Sequence, residues 1–324
     1  VESIFLGGGT PSLFSPQQIG RILDACRQSL DLVIDCEITM EANPGTIERG
    51  SLRAYREAGI TRLSIGAQTF DPDILTTLGR IHGPSDIRDA VEEARDAAYE
   101  SINVDLLFAL PGQTPDMAAR DVEALIRLEP QHVSYYQLTL EPNTVFHRRP
   151  PAGLPNDDDA WRIQSLGHSL LADAGYEQYE ISAFARPGHR SRHNLNYWQF
   201  GDYLAAGAGA HGKLTRTAGN IERYVKPMHP LVFIEQVEQN AVDRSTRIVD
   251  PADLDLEFML NGLRLIDGIS IDLFRQRTGR DPAAIAAKID AAVADGLLDA
   301  KDETWRPTAD GFRLLNELQA RFLP

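Results

Sequence analysis

The strongest constraint on what this chain can fold into is an alternation. From residue 3 to residue 138, short apolar runs alternate with longer stretches of helical period, and few residues join them. Residues 3–6, 36–40, 62–66, 101–107 and 132–138 read as strands. Residues 16–30, 52–58, 84–98 and the stretch ending at Leu128 read as helices, and Asp71-Pro72 opens a shorter one that stops near Gly79-Arg80. Ile19, Ile22, Leu23 and Cys26 keep to one face of the first helix, and Gly59 sits where a C-cap belongs. Strands separated by helices pair in parallel, because a parallel pair needs a long crossover. The ligands of such sheets lie at the carboxyl ends of the strands.

Polar residues collect at those ends. The first strand runs into Leu6-Gly7-Gly8-Gly9-Thr10-Pro11, where backbone N–H and C=O groups stand open with no Cβ in the way. A tight βα turn would use the same glycines, so the motif alone leaves both readings open. Thr10, Glu41, Gln68 and Asp105 close successive strands, and Arg80 follows a further segment. Each carboxylate taken singly also suits a solvated loop or a helix N-cap. Together on one rim they suit a ligand carrying an amino acid group and a ribose, with carboxylates for the ammonium and hydroxyls and Arg80 for a carboxylate.

Composition excludes some classes. A net charge of −15 argues against a nucleic-acid partner. Two cysteines, Cys26 and Cys36, suggest a reducing, cytoplasmic setting and read as small core residues. No apolar run reaches bilayer-crossing length.

In the second half, an acidic loop at 156–159 precedes a helix over 160–174, and 176–182 reads as a strand. His193-Asn194-Leu195-Asn196-Tyr197-Trp198 follows. A histidine beside two aromatics can be a packed, hydrogen-bonded residue, or a neutral axial haem ligand with aromatic faces for the macrocycle. His211, within Gly207-Ala208-Gly209-Ala210-His211-Gly212, is a second candidate. From residue 251 onward, helices over 256–265, 271–278 and 282–294, a hairpin of 297–300 with 304–307, and a last helix over 310–323 read as winged-helix-like. Few basic residues there are clustered (Arg275, Arg277 and Arg280 are the main ones), which favours a protein contact or lid over a DNA reader.

Gly7-Gly8-Gly9-Thr10-Pro11, Glu41-Ala42-Asn43-Pro44, Ser64-Ile65-Gly66-Ala67-Gln68-Thr69-Phe70, Leu78-Gly79-Arg80 and Asn103-Val104-Asp105-Leu106 occur in this order. The series resembles the S-adenosylmethionine (SAM) pocket of the radical SAM coproporphyrinogen III oxidase family, over nearly the whole chain. The resemblance implies an α/β fold: a partial, open parallel β/α barrel with a C-terminal winged-helix-like helical domain. It divides the chain into a barrel over 1–175, a haem-motif region over 176–250 and a C-terminal domain over 251–324. It implies that Gly8, Gly9 and Thr10 meet the methionine part of SAM, and that Glu41, Gln68, Arg80 and Asp105 hold its amino acid and ribose groups.

His193, Asn194, Tyr197 and Trp198 match the haem motif of the haem-chaperone branch of that family, with His193 toward the iron. The function so implied is delivery of haem to respiratory haem proteins, with a peripheral membrane association and no nucleic acid. The alternative is an oxygen-independent coproporphyrinogen III oxidase. The family's 4Fe-4S cluster is ligated by a Cys-x-x-x-Cys-x-x-Cys loop upstream of the glycine strand, and this chain has no such loop. The expectation is therefore a fragment whose cluster loop precedes Val1 and which by itself holds no cluster.

Overall fold

The computed structural model describes residues 1–45, 51–142, 144–216, 219–242 and 245–324. It forms two compact units, Val1–His193 and Asn194–Pro324.

In the first unit, β1 (Ser3–Leu6), α1 (Pro16–Ser29), β2 (Glu37–Ala42), α2 (Leu52–Ala58) and β3 (Arg62–Gln68) are followed by α3 (Pro72–Thr77) and α4 (Pro84–Asp96). Then come β4 (Ser101–Phe108), α5 (Pro115–Arg127), β5 (His132–Gln137), α6 (Val145–Arg148) and α7 (Asp157–Asp173). β6 (Glu177–Glu180), β7 (Ala183–Ala185) and the start of α8 (Arg192–Trp198) complete it. Local chemistry sets the helix ends. Ser15 and Gln18 form a capping box on α1, Asp71 and Thr114 cap α3 and α5, and Gly59 ends α2 at φ 115°.

The strands lie in the order β1-β2-β3-β4-β5-β7-β6, and the first five are parallel. β1 and β6 do not pair, so the sheet is an open, partial barrel. Period-two alternation explains its two faces. Leu63, Ile65, Ile102, Val104, Val133 and Tyr135 point to one side, into a core with Ile19, Leu23, Leu52, Val91, Val122 and Leu125 of the helices. The intervening Arg62, Ser64, Asn103, Asp105, His132 and Ser134 therefore share the opposite, polar face. Register sets Glu41 beside Ser64, Ser64 beside Asn103, Asn103 beside His132, and Asp105 beside Ser134.

The strand expected over 176–182 is instead two short ones. β6 and β7 form a hairpin around Ile181 and Ser182, and β7 runs antiparallel to β5. No Gly, Pro, Asn or Asp marks that turn in the sequence, so the usual hairpin signal is missing.

The second unit holds an antiparallel sheet ordered β10-β9-β8, from β8 (His211–Thr215), β9 (Ile221–Val225) and β10 (Ser245–Ile248), with α9 (Pro230–Glu238) between the last two. The sequence reading contained none of these. The winged-helix-like part has α10 (Pro251–Gly262), β11 (Ile269–Ser270), α11 (Ile271–Thr278), α12 (Ala286–Ala294), β12 (Leu298–Lys301) and β13 (Thr304–Pro307). Its sheet is ordered β11-β13-β12. The final helix is broken at Leu314 into α13 (Ala309–Arg313) and α14 (Leu315–Ala320). Phe258 anchors this core, edge-to-face with Phe200 at 5.7 Å and with Phe274 at 5.2 Å.

Candidate functional site

The rim of the open barrel begins with the glycines after β1. Gly8 and Gly9 have φ of +81° and +66°, a left-handed backbone that glycine adopts without strain, and nothing lies within 4 Å of where a Cβ would sit. Gly7 is constrained differently, because a Cβ there would lie 2.5 Å from the Phe5 ring and 2.9 Å from the Glu41 carboxyl carbon. The loop thus lies against both side chains. Glu41 fastens it, its Oε2 accepting the Gly8 N–H at 3.1 Å. Thr10 precedes a 3-10 turn, Pro11–Leu13, without capping it through its hydroxyl.

Two carboxylates sit close enough on this rim to feel each other. Burial raises the pKa of Glu41, the Gly8 hydrogen bond opposes that, and the charge of Asp105 adds to it. Burial likewise raises Asp105, against hydrogen bonds from Asn103 and Ser64, the neighbouring Ser134 hydroxyl and the attraction of Arg62. Two acids held above their usual range are under-supplied with positive charge, so an ammonium or hydroxyl donors brought between them would be favoured. Arg80 is exposed just beyond α3, its N–H bonded to the Leu75 carbonyl at 2.9 Å. The half-buried Tyr136 lies within electrostatic reach of these groups. Burial raises its hydroxyl pKa, Asp105 and Glu41 raise it further, and Arg80 opposes them. Gln68 is buried at φ 69°, where β3 and β4 lose register. A Cβ on Gly66 would meet the Gln68 and Asn43 amides at 3.0 and 3.2 Å, so the glycine makes room for both.

His193 is held by residues of the first unit. Its ring stacks on Phe5, centroids 4.4 Å apart and planes at 19°. Glu37 accepts the backbone N–H groups of Arg192 and His193 at 3.2 and 3.1 Å and the Ser191 hydroxyl at 3.4 Å. Burial lowers the imidazole pKa to about 4, Glu37 opposing and Arg62 assisting, so the ring is neutral at neutral pH. A neutral imidazole is the form that can ligate a metal. Asn194, Tyr197 and Trp198 continue the same helix in the second unit. Tyr197 packs on Tyr203 at 4.4 Å, beside a small cleft that Lys213, Arg223 and Asn261 also line. Trp198 packs against the second core, with the Arg264 guanidinium 4.2 Å from its ring. His211 is exposed at the start of β8.

Sequence reasoning missed Phe5, Glu37, Tyr136 and the inward polar set Ser64, Asn103, His132 and Ser134. The signal was present, since these polar residues recur at period two within otherwise apolar strands. Cys26 is half-buried on α1, and Cys36 is buried in the core just before β2. Neither geometry fits a cluster-ligand set. Among the described residues, no group of three or more His, Cys, Asp or Glu is arranged to hold a metal ion, and no helix is long and apolar enough to cross a membrane.

Comparison with known proteins places this geometry. Residues 1–125 match the Radical SAM superfamily, and residues 249–314 match the HemN C-terminal domain. The chain is 45% identical to the heme chaperone HemW of Escherichia coli over 323 residues, covering all of this chain and 84% of that protein. It is 34% identical to the heme chaperone HemW of Bacillus subtilis, covering 86% of it. It is 36% identical to the mouse radical S-adenosyl methionine domain-containing protein 1, mitochondrial, covering 76% of it. The solved coproporphyrinogen III oxidase (HemN) from Escherichia coli, described as a radical SAM enzyme, shares the fold at a TM-score of 0.82 and 23% identity, over 99% of this chain and 77% of that one. The chain therefore belongs to the HemW family of radical SAM proteins.

Proposed function

We propose that this protein is a haem chaperone that binds haem through the 193–198 segment and SAM on the barrel rim, and passes haem to respiratory haem proteins. The observation that carries the reading is His193. Its imidazole is neutral, stacked on Phe5 and fastened through its backbone to Glu37, which suits a ligand held ready for iron. The 45% identity to a heme chaperone over the whole chain supports the same reading.

The donor set of the rim fits SAM. Glu41 and Asp105 would take the ammonium and the ribose hydroxyls, Gly8, Gly9 and Thr10 the methionine backbone, Arg80 the carboxylate, and Gln68 a polar edge. Bound with an iron–sulfur cluster, SAM supplies one-electron chemistry in this superfamily. The cysteines present do not fit that cluster, and this chain's own part is to bind and orient the ligand.

Haem titration of the full-length protein tests the reading. The expected result is a sharpened, shifted Soret band that His193→Ala abolishes or alters, while His211→Ala has the smaller effect. Tyr197→Ala should weaken haem without changing the iron's ligation. A Soret band indifferent to His193, together with conversion of coproporphyrinogen III to protoporphyrinogen IX, would replace the chaperone with an oxidase.

A further inference from the structure

Beneath the rim, the polar face of the sheet carries a hydrogen-bonded chain that ends on Asp105. The Asn103 amide donates to Asp105 Oδ1 at 2.8 Å and to Ser64 Oγ at 2.7 Å, and Ser64 Oγ donates to Asp105 Oδ2 at 3.2 Å. The other side of that amide, Oδ1, lies 2.6 Å from His132 Nδ1 and accepts the Ser134 hydroxyl at 3.1 Å. His132 Nε2 lies 2.9 Å from the Tyr179 hydroxyl. Asn103, His132 and Tyr179 are all buried.

Chemistry orients every member. A carboxylate only accepts, so Asn103 must turn its NH2 to Asp105 and its carbonyl to His132. His132 Nδ1 therefore carries the proton, Nε2 is the acceptor, and Tyr179 donates to it. Neutral imidazole is required for this, and burial, with Arg62 and His189 nearby, holds the His132 pKa well below its ordinary value. Aligned donors polarise one another in a medium of low dielectric constant. The chain runs Tyr179 to His132 to Asn103 to Asp105, with every dipole toward the carboxylate.

We propose that Asn103, His132 and Tyr179 are positioning residues that fix the Asp105 carboxylate that receives SAM. The proposal rests on the SAM reading above. It assigns the far end of the network, Tyr179 on β6 and three strands from β4 in the sheet order, a role in ligand affinity that a buried structural network would not have.

The test is calorimetric SAM binding to the full-length protein across pH. Asp105 is faced by Glu41 from β2, by Arg62 and Ser64 from β3, and by His132, Ser134 and Tyr136 from β5. Affinity should fall toward acid as Asp105 and Glu41 take up protons. Glu41 contributes to every profile, so the comparison between variants isolates Asp105. Asn103→Leu removes a donor from the carboxylate, and should weaken SAM about tenfold and move the acid limb up by about one pH unit. His132→Phe should move it in the same direction and less far. His132→Gln, whose amide can donate to Asn103 and accept from Tyr179, should restore most of the loss. A merely structural role would lower stability, or affinity at every pH, and leave the limb in place.

Asp105→Asn separates the two claims. If it leaves affinity unchanged, the SAM assignment of Asp105 fails. If it weakens SAM while Asn103→Leu and His132→Phe keep the wild-type affinity and limb, the positioning role alone fails. Should His132→Phe not fold, Tyr179→Phe takes its place, with a smaller shift of the same sign expected and an unmoved limb overturning the proposal.

Discussion

Glu41 and Asp105 are each raised by burial, and Glu41 further by its neighbour's charge, so both gain from a cationic ligand. Charge-assisted hydrogen bonds contribute about 1.5–3 kcal/mol each. Glu41→Ala should accordingly weaken SAM by roughly tenfold or more in calorimetric titration of the full-length protein. An unchanged affinity would make Glu41 an ordinary tie between β2 and the glycine loop. His193 carries a linkage of its own. Its folded pKa of about 4 lies below the ordinary 6.5, so between those values the unfolded chain binds the proton first. The contribution of the neutral ring is fully present above pH 6.5 and is lost as pH falls toward 4. The loss is on the order of 2 kcal/mol after allowing for the ring's partial exposure. Urea unfolding at pH 7 and pH 4.5 should show a smaller loss for His193→Gln than for wild type. The half-buried His168, also held at about 4, supplies a part that both proteins share.

At the scale of elements, α8 depends on a residue far away in sequence. Seven residues are too few for a stable isolated helix. Glu37 supplies what the local sequence lacks, an anion on the unpaired N–H groups of the first turn. Glu37→Ala should cost about 1–3 kcal/mol in thermal unfolding and weaken haem along with it, because His193 loses its anchor. Arg192 also pairs with Asp35, at 2.6 Å. That pair is exposed and screened by solvent, and Arg192→Ala should cost less than Glu37→Ala. Equal effects from the two substitutions would show that the Glu37 contacts have no special weight.

For the whole molecule, the two units have separate apolar cores, one under the sheet and one around Phe258. Phe258 is fully buried between Phe200 and Phe274. Phe258→Ala should destabilise the second unit by about 3–5 kcal/mol, read as a lowered melting temperature in near-ultraviolet circular dichroism. The rim residues belong to the first unit, so SAM affinity measured below that melting temperature should stay as in wild type. A parallel loss of SAM affinity would argue against assigning the ligand to the first unit's residues alone.

The parallel half of the sheet was legible in the sequence, because burial on a helix-covered face imposes a continuous code of apolar runs, helical periods and caps from Ser3 to Gln137. The strand pattern also located Glu41, one residue before the end of β2, and Gln68, the last residue of β3, whereas Asp105 lies inside β4, three residues before its end at Phe108, because β4 runs on past its neighbours. The β6–β7 hairpin was not legible, since its turn carries no Gly, Pro, Asn or Asp, and pairing with β5 decides it. The sheet of β8, β9 and β10 was not either. Its strands are short and partly exposed, and their pairing lies in contacts between residues far apart in the chain. Only the tertiary structure brought Phe5 and Glu37 to His193, across more than 150 residues. Only it turned Asn103, His132 and Tyr179 into one directed chain. Periodicity says which face a side chain takes, but register between strands and the curl of the sheet decide which side chains meet.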